Sequence, residues 1–163
     1  MTLNQKKIND FISFAEKLVK KSEKIILEHH KKVITVKYKK DSSPVTKIDK
    51  LIEKIFRTEI KKKYPNHGIY GEEFKNSKIN NEYIWVIDPI DGTKNFIHGH
   101  HSFGTLITLL HHGAPIFGII NSPLMKKTWK GIKGEGAFLN NKKIKKNSSQ
   151  LNLKDMIVSH SGM

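Results

Sequence analysis

The stretch Phe103–Asn121, FGTLITLLHHGAPIFGIIN, decides the fold. Phe103–Leu110 is an apolar run with the length and β-branched content of a buried strand. His112-Gly-Ala-Pro115 is turn chemistry, and Ile116–Asn121 returns as a second strand. The pattern repeats downstream. Thr128–Ile132 and Ala137–Leu139 flank Gly134-Glu-Gly136, and the Asn140-Asn141 turn leads into Lys142–Lys145. Upstream, Gly68–Gly71 and Tyr83–Ile87 read as strands that each run into acidic residues.

The N-terminal part has a different period. Residues 4–29 place Ile8, Phe11, Ile12, Ala15, Leu18, Val19, Ile25 and Ile26 on one helical stripe, with Lys and Glu between them. Val33–Tyr38 is a short β-prone segment, and Asp41-Ser-Ser-Pro44 is a turn. A second helix is expected over 46–63, opened by a capping box of Thr46 and Asp49. Helices first and hairpin-like strands afterwards predict an α+β fold, with two helices packed on a mostly antiparallel sheet. That domain is expected over residues 1–150. Asn147–Leu153 reads as a linker, and Met156–Ser159 as the first strand of a further unit, so 151–163 is expected to be a linker and the truncated start of a second domain.

Composition narrows the function. The 163-residue chain has no cysteine, which excludes disulfides, thiolate metal sites and cysteine nucleophiles. No apolar run approaches the length of a membrane-spanning helix, and the N-terminus lacks the apolar core of a signal peptide. A cytoplasmic location is therefore expected. Net charge is +15, yet Arg57 is the one arginine among 30 basic residues. Base readout and bidentate phosphate clamps favour arginine, so neither a specific nucleic-acid partner nor a membrane is expected. A field that draws in a small anionic substrate is the milder consequence. Residues 81–125 are the least basic stretch, with one lysine and three acidic residues.

That stretch holds the acidic constellation Trp85-Val-Ile-Asp88-Pro-Ile-Asp91-Gly-Thr-Lys-Asn-Phe96. Pro89 fixes the backbone between two carboxylates, and Gly92 permits a tight turn after them. Such a turn can aim Asp88, Asp91 and the Ile90 carbonyl at one point. These hard oxygen donors suit Mg²⁺. The Gly92 and Thr93 amides, at the start of a short helix, offer an anion cradle. Glu72, in Gly71-Glu-Glu73, joins the site if its strand lies beside Tyr83–Ile87. Asp49 offers a proton acceptor, through the Thr93 hydroxyl. Taken singly, Asp49 is a helix cap, Glu72 and Glu73 are solvated charges, and Thr93 is an N-cap.

Asp88-Pro-Ile-Asp-Gly-Thr93, preceded by Trp85-Val-Ile and followed by Asn95-Phe-Ile-His98, resembles the signature of the inositol monophosphatase family. Pro44-Val-Thr-x-x-Asp49, Gly71-Glu-Glu73, Gly118-Ile-Ile-Asn-Ser-Pro123 and Gly134-Glu-Gly-Ala-Phe138 match its other motifs in order. The resemblance implies a Mg²⁺-dependent phosphomonoesterase with no covalent intermediate. It implies Glu72, Asp88 and the Ile90 carbonyl as ligands of a first metal, and Asp88 and Asp91 as ligands of a second. It also implies a third, weaker metal held through water by Glu72. Thr93 backed by Asp49 would activate water, and the Gly92 and Thr93 amides would bind phosphate. Phe103–Leu110, Gly113–Pro123 and Thr128-Trp-Lys-Gly131 look most like the histidinol-phosphate phosphatase branch, of histidine biosynthesis. Inositol-1-phosphate and a 3′-phosphonucleotide are the alternative substrates, and a catalytically inactive fragment that binds only metal and phosphate is the alternative of another class. A homodimer through this domain is a further implication.

The family pattern continues into a C-terminal α/β half whose Trp-Asp motif completes the second metal site. No Trp-Asp pair occurs here, so the second site is expected to lack a carboxylate. The nine histidines raise a zinc site as a separate possibility, at His98-Gly-His-His101 or at His111-His112 on a hairpin tip, but their spacing matches no closed four-ligand pattern.

Overall fold

The computed structural model describes residues 4–30, 32, 35–39 and 44–145. Val33 and Ile34 of the first β-prone segment, Asp41–Ser43 of the turn, the Asn147–Leu153 linker and the Met156–Ser159 strand lie outside the described residues. The elements follow as α1 (Gln5–His29), β1 (Val36–Tyr38), β2 (Pro44–Thr46), α2 (Lys47–Lys63), β3 (Gly68–Gly71), β4 (Tyr83–Asp91) and α3 (Thr93–Ile97). They continue as β5 (Gly104–His111), β6 (Ala114–Ser122), β7 (Lys127–Ile132), β8 (Gly136–Leu139) and β9 (Lys142–Lys143).

Both long helices start where polar side chains satisfy their first amides. Asn4 accepts from the Lys6 amide at 2.9 Å. Thr46 accepts from the Ile48 amide at 3.1 Å, while Asp49 Oδ2 accepts from the Thr46 amide at 2.9 Å, which completes the capping box. Lysines fill the last turn of α2 and complement the helix dipole.

Seven strands form one sheet in the order β3-β4-β5-β6-β7-β8-β9. Every pair is antiparallel except β3 with β4. The architecture is α+β, as the patterning predicts. The parallel pair places Gly71 beside Ile87, so Glu72 follows one strand where Asp88 follows in the other. The chain between them doubles back along the outer edge of β3, bonding Ile69 and Ser77 through both backbone pairs at 2.8 and 2.9 Å.

Helices α1 and α2 cover one sheet face. Phe11, Phe14, Leu18, Ile52, Phe56 and Ile60 pack there against Trp85, Ile87, Ile107, Leu109, Phe117 and Ile119. Burying each such side chain contributes about 1.5–3 kcal/mol. Trp85 is fully buried, and its indole N–H donates to His67 Nδ1 at 3.1 Å. Among the described residues the other face carries no helix. There a groove of about 350 Å³ runs between Leu106, Ile120, Trp129, Phe138 and Ile144.

Two local differences from the sequence reading have physical causes. The turn after β5 is tighter than His112–Pro115: only His112 and Gly113 form it, both with positive φ, and Ala114 and Pro115 already pair in β6. That two-residue geometry matches the twist of the flanking strands. Pro115 sits where the register shifts, which is where a strand tolerates a missing N–H. β4 does not stop at Ile87 but continues to Asp91, with an irregularity between Asp88 and Asp91.

Candidate active site

That irregularity builds the site. Pro89 has no amide to give the ladder, so β4 bulges away from β5 after Asp88 and regains its register at Asp91, opposite Gly104. The Thr105 hydroxyl holds the bulge by donating to the Pro89 carbonyl at 2.8 Å. Gly92 then turns the chain at φ 79° into α3. A Cβ on Gly92 would lie 2.8 Å from the Ser102 carbonyl oxygen, so both backbone angle and space require glycine. The first amides of α3 have no acceptor within the helix.

Four of the sequence-nominated carboxylates gather at this bulge. Burial, and then the neighbouring charges of Glu72, Asp91 and Asp49, push the Asp88 carboxyl up to about 8. Its Oδ1 is buried with no hydrogen-bond partner. Burial also raises Asp49 above the ordinary carboxylate range, although its bonds from Thr46 pull the other way. A divalent cation among these groups would favour the ionised Asp88 carboxylate and so oppose that shift. No three of these carboxylates bring their oxygens within 4.8 Å of one another. Like charges spread, and Lys39 holds Glu72 aside: its ammonium pairs with Glu72 at 2.6 Å and with the adjacent Glu73 at 2.7 Å. Burial works against the Lys39 charge, but the two ion pairs outweigh it and hold Lys39 above its ordinary value.

Asp49 plays two parts at once. One oxygen caps α2, accepting from the Thr46 amide and hydroxyl. The other lies 3.4 Å from the Thr93 hydroxyl, which sits closer to the Ile90 carbonyl, at 2.9 Å. Thr93 has one hydrogen to give, so Asp49 and Ile90 compete for it. The Ile90 side chain is buried in the core, which leaves its carbonyl as the group it offers at the site.

Two supports were not legible from the motifs. Lys39, one of many lysines, carries no local signal. The Glu53–Arg57 pair on α2 is buried, at 2.7 Å. Glu53 accepts from the Glu73 amide at 2.7 Å and the Phe74 amide at 3.3 Å, and Arg57 donates to the Phe74 and Lys75 carbonyls at 3.0 and 3.1 Å. This pair clamps the loop that carries Glu72. Gly71 lets it come close, because a Cβ there would meet Glu53 Oε1 at 2.1 Å. A lone arginine four residues after a glutamate on a helix was the available signal.

The donor set fits a hard divalent cation. The donors are oxygens, one is buried and unpartnered, and a lysine ammonium already rests on Glu72.

The family model described as the inositol monophosphatase family matches residues 7–162. A chloroplastic bifunctional phosphatase of Arabidopsis thaliana is 38% identical over 144 residues, covering 87% of this chain and 42% of the relative. A histidinol-phosphatase of Chlorobaculum parvum is 38% identical over 130 residues, covering 79% of this chain and 50% of the relative. The solved structure of a Thermotoga maritima IMPase superposes with a TM-score of 0.79 at 31% identity, over 86% of this chain and 55% of that one. The chain spans about half the length of the curated relatives it matches.

Proposed function

The chain belongs to the inositol monophosphatase family, and from that premise we propose that it is the metal-holding portion of a Mg²⁺-dependent phosphomonoesterase. The observation that carries this reading is the buried, unpartnered Asp88 Oδ1 among Glu72, Asp91 and Asp49, beside the start of α3. Glu72, Asp88 and the Ile90 carbonyl would hold one Mg²⁺, and Asp88 and Asp91 a second. Bound there, the metal supplies an activated water and neutralises charge on the phosphate oxygens.

The rest is the work of the chain. With the Ile90 carbonyl serving as a ligand, the Thr93 hydrogen would be left to Asp49. The Thr93 oxygen is then free to accept a proton from the attacking water while its own passes to Asp49. Burial raises Asp49, which suits it to receive that proton. The water oxygen bonds to phosphorus, the phosphate-ester bond breaks with its electron pair on the leaving oxygen, and that oxygen takes up a proton from solvent to leave as an alcohol. The Gly92 and Thr93 amides orient the phosphate.

Histidinol phosphate is the proposed substrate, with inositol-1-phosphate or a 3′-phosphonucleotide as alternatives. Phe103–Leu110 and Thr128–Gly131 support the first, and a histidinol-phosphatase stands among the similar proteins. The test is Mg²⁺-dependent phosphate release by the folded chain from all three, side by side. Release from histidinol phosphate alone is expected. Release from another substrate would move the enzyme to that branch. No release from any would favour a second reading, a chain that binds metal and phosphate without turnover.

A further inference from the structure

A second group of metal-ligating side chains lies at the other end of β4. Glu82, His111 and His112 each offer a ligand atom, and these atoms all lie within 4.8 Å of one another. Adjacent residues on a strand point to opposite faces, so His111 and His112 would ordinarily diverge. The hairpin tip prevents this. His112 adopts a left-handed φ of 48°, which brings its ring centroid to 4.4 Å from that of His111. Glu82 comes from a distant part of the sequence, delivered because Tyr83 pairs with His111 across the ladder. The His112 amide donates to the Glu82 carbonyl at 2.8 Å and fixes that approach.

The ligands are partly set in place. His111 Nε2 lies 2.9 Å from Glu82 Oε1, and the His111 ring stacks on Tyr83 at 4.8 Å. The Lys7 ammonium donates to the Tyr83 hydroxyl at 3.0 Å. Glu82 and His112 are exposed, so a cation reaches them from solvent. Two imidazoles and one carboxylate are a three-ligand set that leaves positions for water. Imidazole nitrogens suit zinc-type cations, whereas Mg²⁺ prefers all-oxygen sites.

We propose that Glu82, His111 and His112 form a surface site for a zinc-type divalent cation, one that fastens the β5–β6 hairpin tip to the start of β4. The site is separate from the carboxylates at the bulge. Six steps along extended chain divide Glu82 from Asp88, roughly 20 Å.

The test is calorimetric titration of Zn²⁺ into the folded chain in excess Mg²⁺, with Co²⁺ absorption as a second readout of imidazole ligation. One Zn²⁺ per chain is expected. His112→Asn keeps a residue that tolerates left-handed φ, so the turn survives. It should weaken Zn²⁺ binding at least about tenfold, as should Glu82→Gln. Asp88→Asn and a His100→Ala, His101→Ala double variant should leave it unchanged. Undiminished binding in folded His112→Asn and Glu82→Gln, or no Zn²⁺ binding by the unaltered chain, would overturn the proposal. Loss of binding only in Asp88→Asn would also overturn it, by placing the Zn²⁺ at the bulge. None of these outcomes depends on turnover.

Discussion

At its C-terminal end β4 delivers Asp88 and Asp91 into a group of neighbouring carboxylates, whereas at its N-terminal end Glu82 and Tyr83 meet imidazoles and aromatic rings. The first end is frustrated. Its acids repel one another, one oxygen is unpartnered, and a lysine leans across Glu72 and its neighbour Glu73. The second end is self-satisfied. Tyr64, His67, Tyr83 and His111 stack in succession at 4.7–4.8 Å, and His67 accepts from the Trp85 indole. One strand thus offers hard oxygens at one end and nitrogens at the other, and the difference in donor type should divide cations between them.

The sharpest way to break this contrast is Asp91→Asn. Phosphate release under Mg²⁺ should fall by about 10²-fold or more, because a misplaced ligand alone costs that much. Circular dichroism should stay unchanged, since Asp91 is exposed at the strand end. Unaltered release would remove Asp91 from the metal assignment.

Next in size is Arg57→Ala. It would leave Glu53 buried without its ion pair, a loss of about 3–5 kcal/mol measured by urea unfolding. The same variant should loosen the 73–75 loop and weaken Mg²⁺ binding. A cost below about 1 kcal/mol would show that the clamp is dispensable.

The stacked end should respond to pH instead. Burial, and then the nearby Lys7 charge, lower His67 to about 4, below its ordinary 6.5. A proton therefore binds the unfolded chain more readily, and the stability that neutral His67 contributes is complete above 6.5. It is lost as pH falls from 6.5 towards 4. His67→Gln should flatten that limb of a pH–stability curve; an identical slope would place the acid sensitivity elsewhere. Smallest should be Glu82→Gln in the absence of transition metals. It breaks an exposed pair with His111 and should leave the unfolding midpoint nearly unchanged, with Mg²⁺ binding intact.

Much of the molecule was legible in its residues. The 3.6-residue stripes of α1 and α2, the Thr46–Asp49 box and the glycine and asparagine turns are local signals, and local physics honours them. The acidic motif named residues that the fold does bring together at the bulge. What stayed hidden depends on pairing between distant segments. Pro44–Thr46 became a strand because β1 lies beside it. Glu82 gained two histidine neighbours because Tyr83 lies opposite His111. Lys39 met Glu72 and Glu73 only through the fold, and Glu53 reads in sequence as one more helix charge although it is wholly buried.

The most direct test is a Mg²⁺ titration of the folded chain beside its Asp88→Asn variant. The account predicts that the unaltered chain binds Mg²⁺ and that Asp88→Asn loses that binding by about 10²-fold or more while keeping its fold. Equal Mg²⁺ affinity in the two proteins would contradict it.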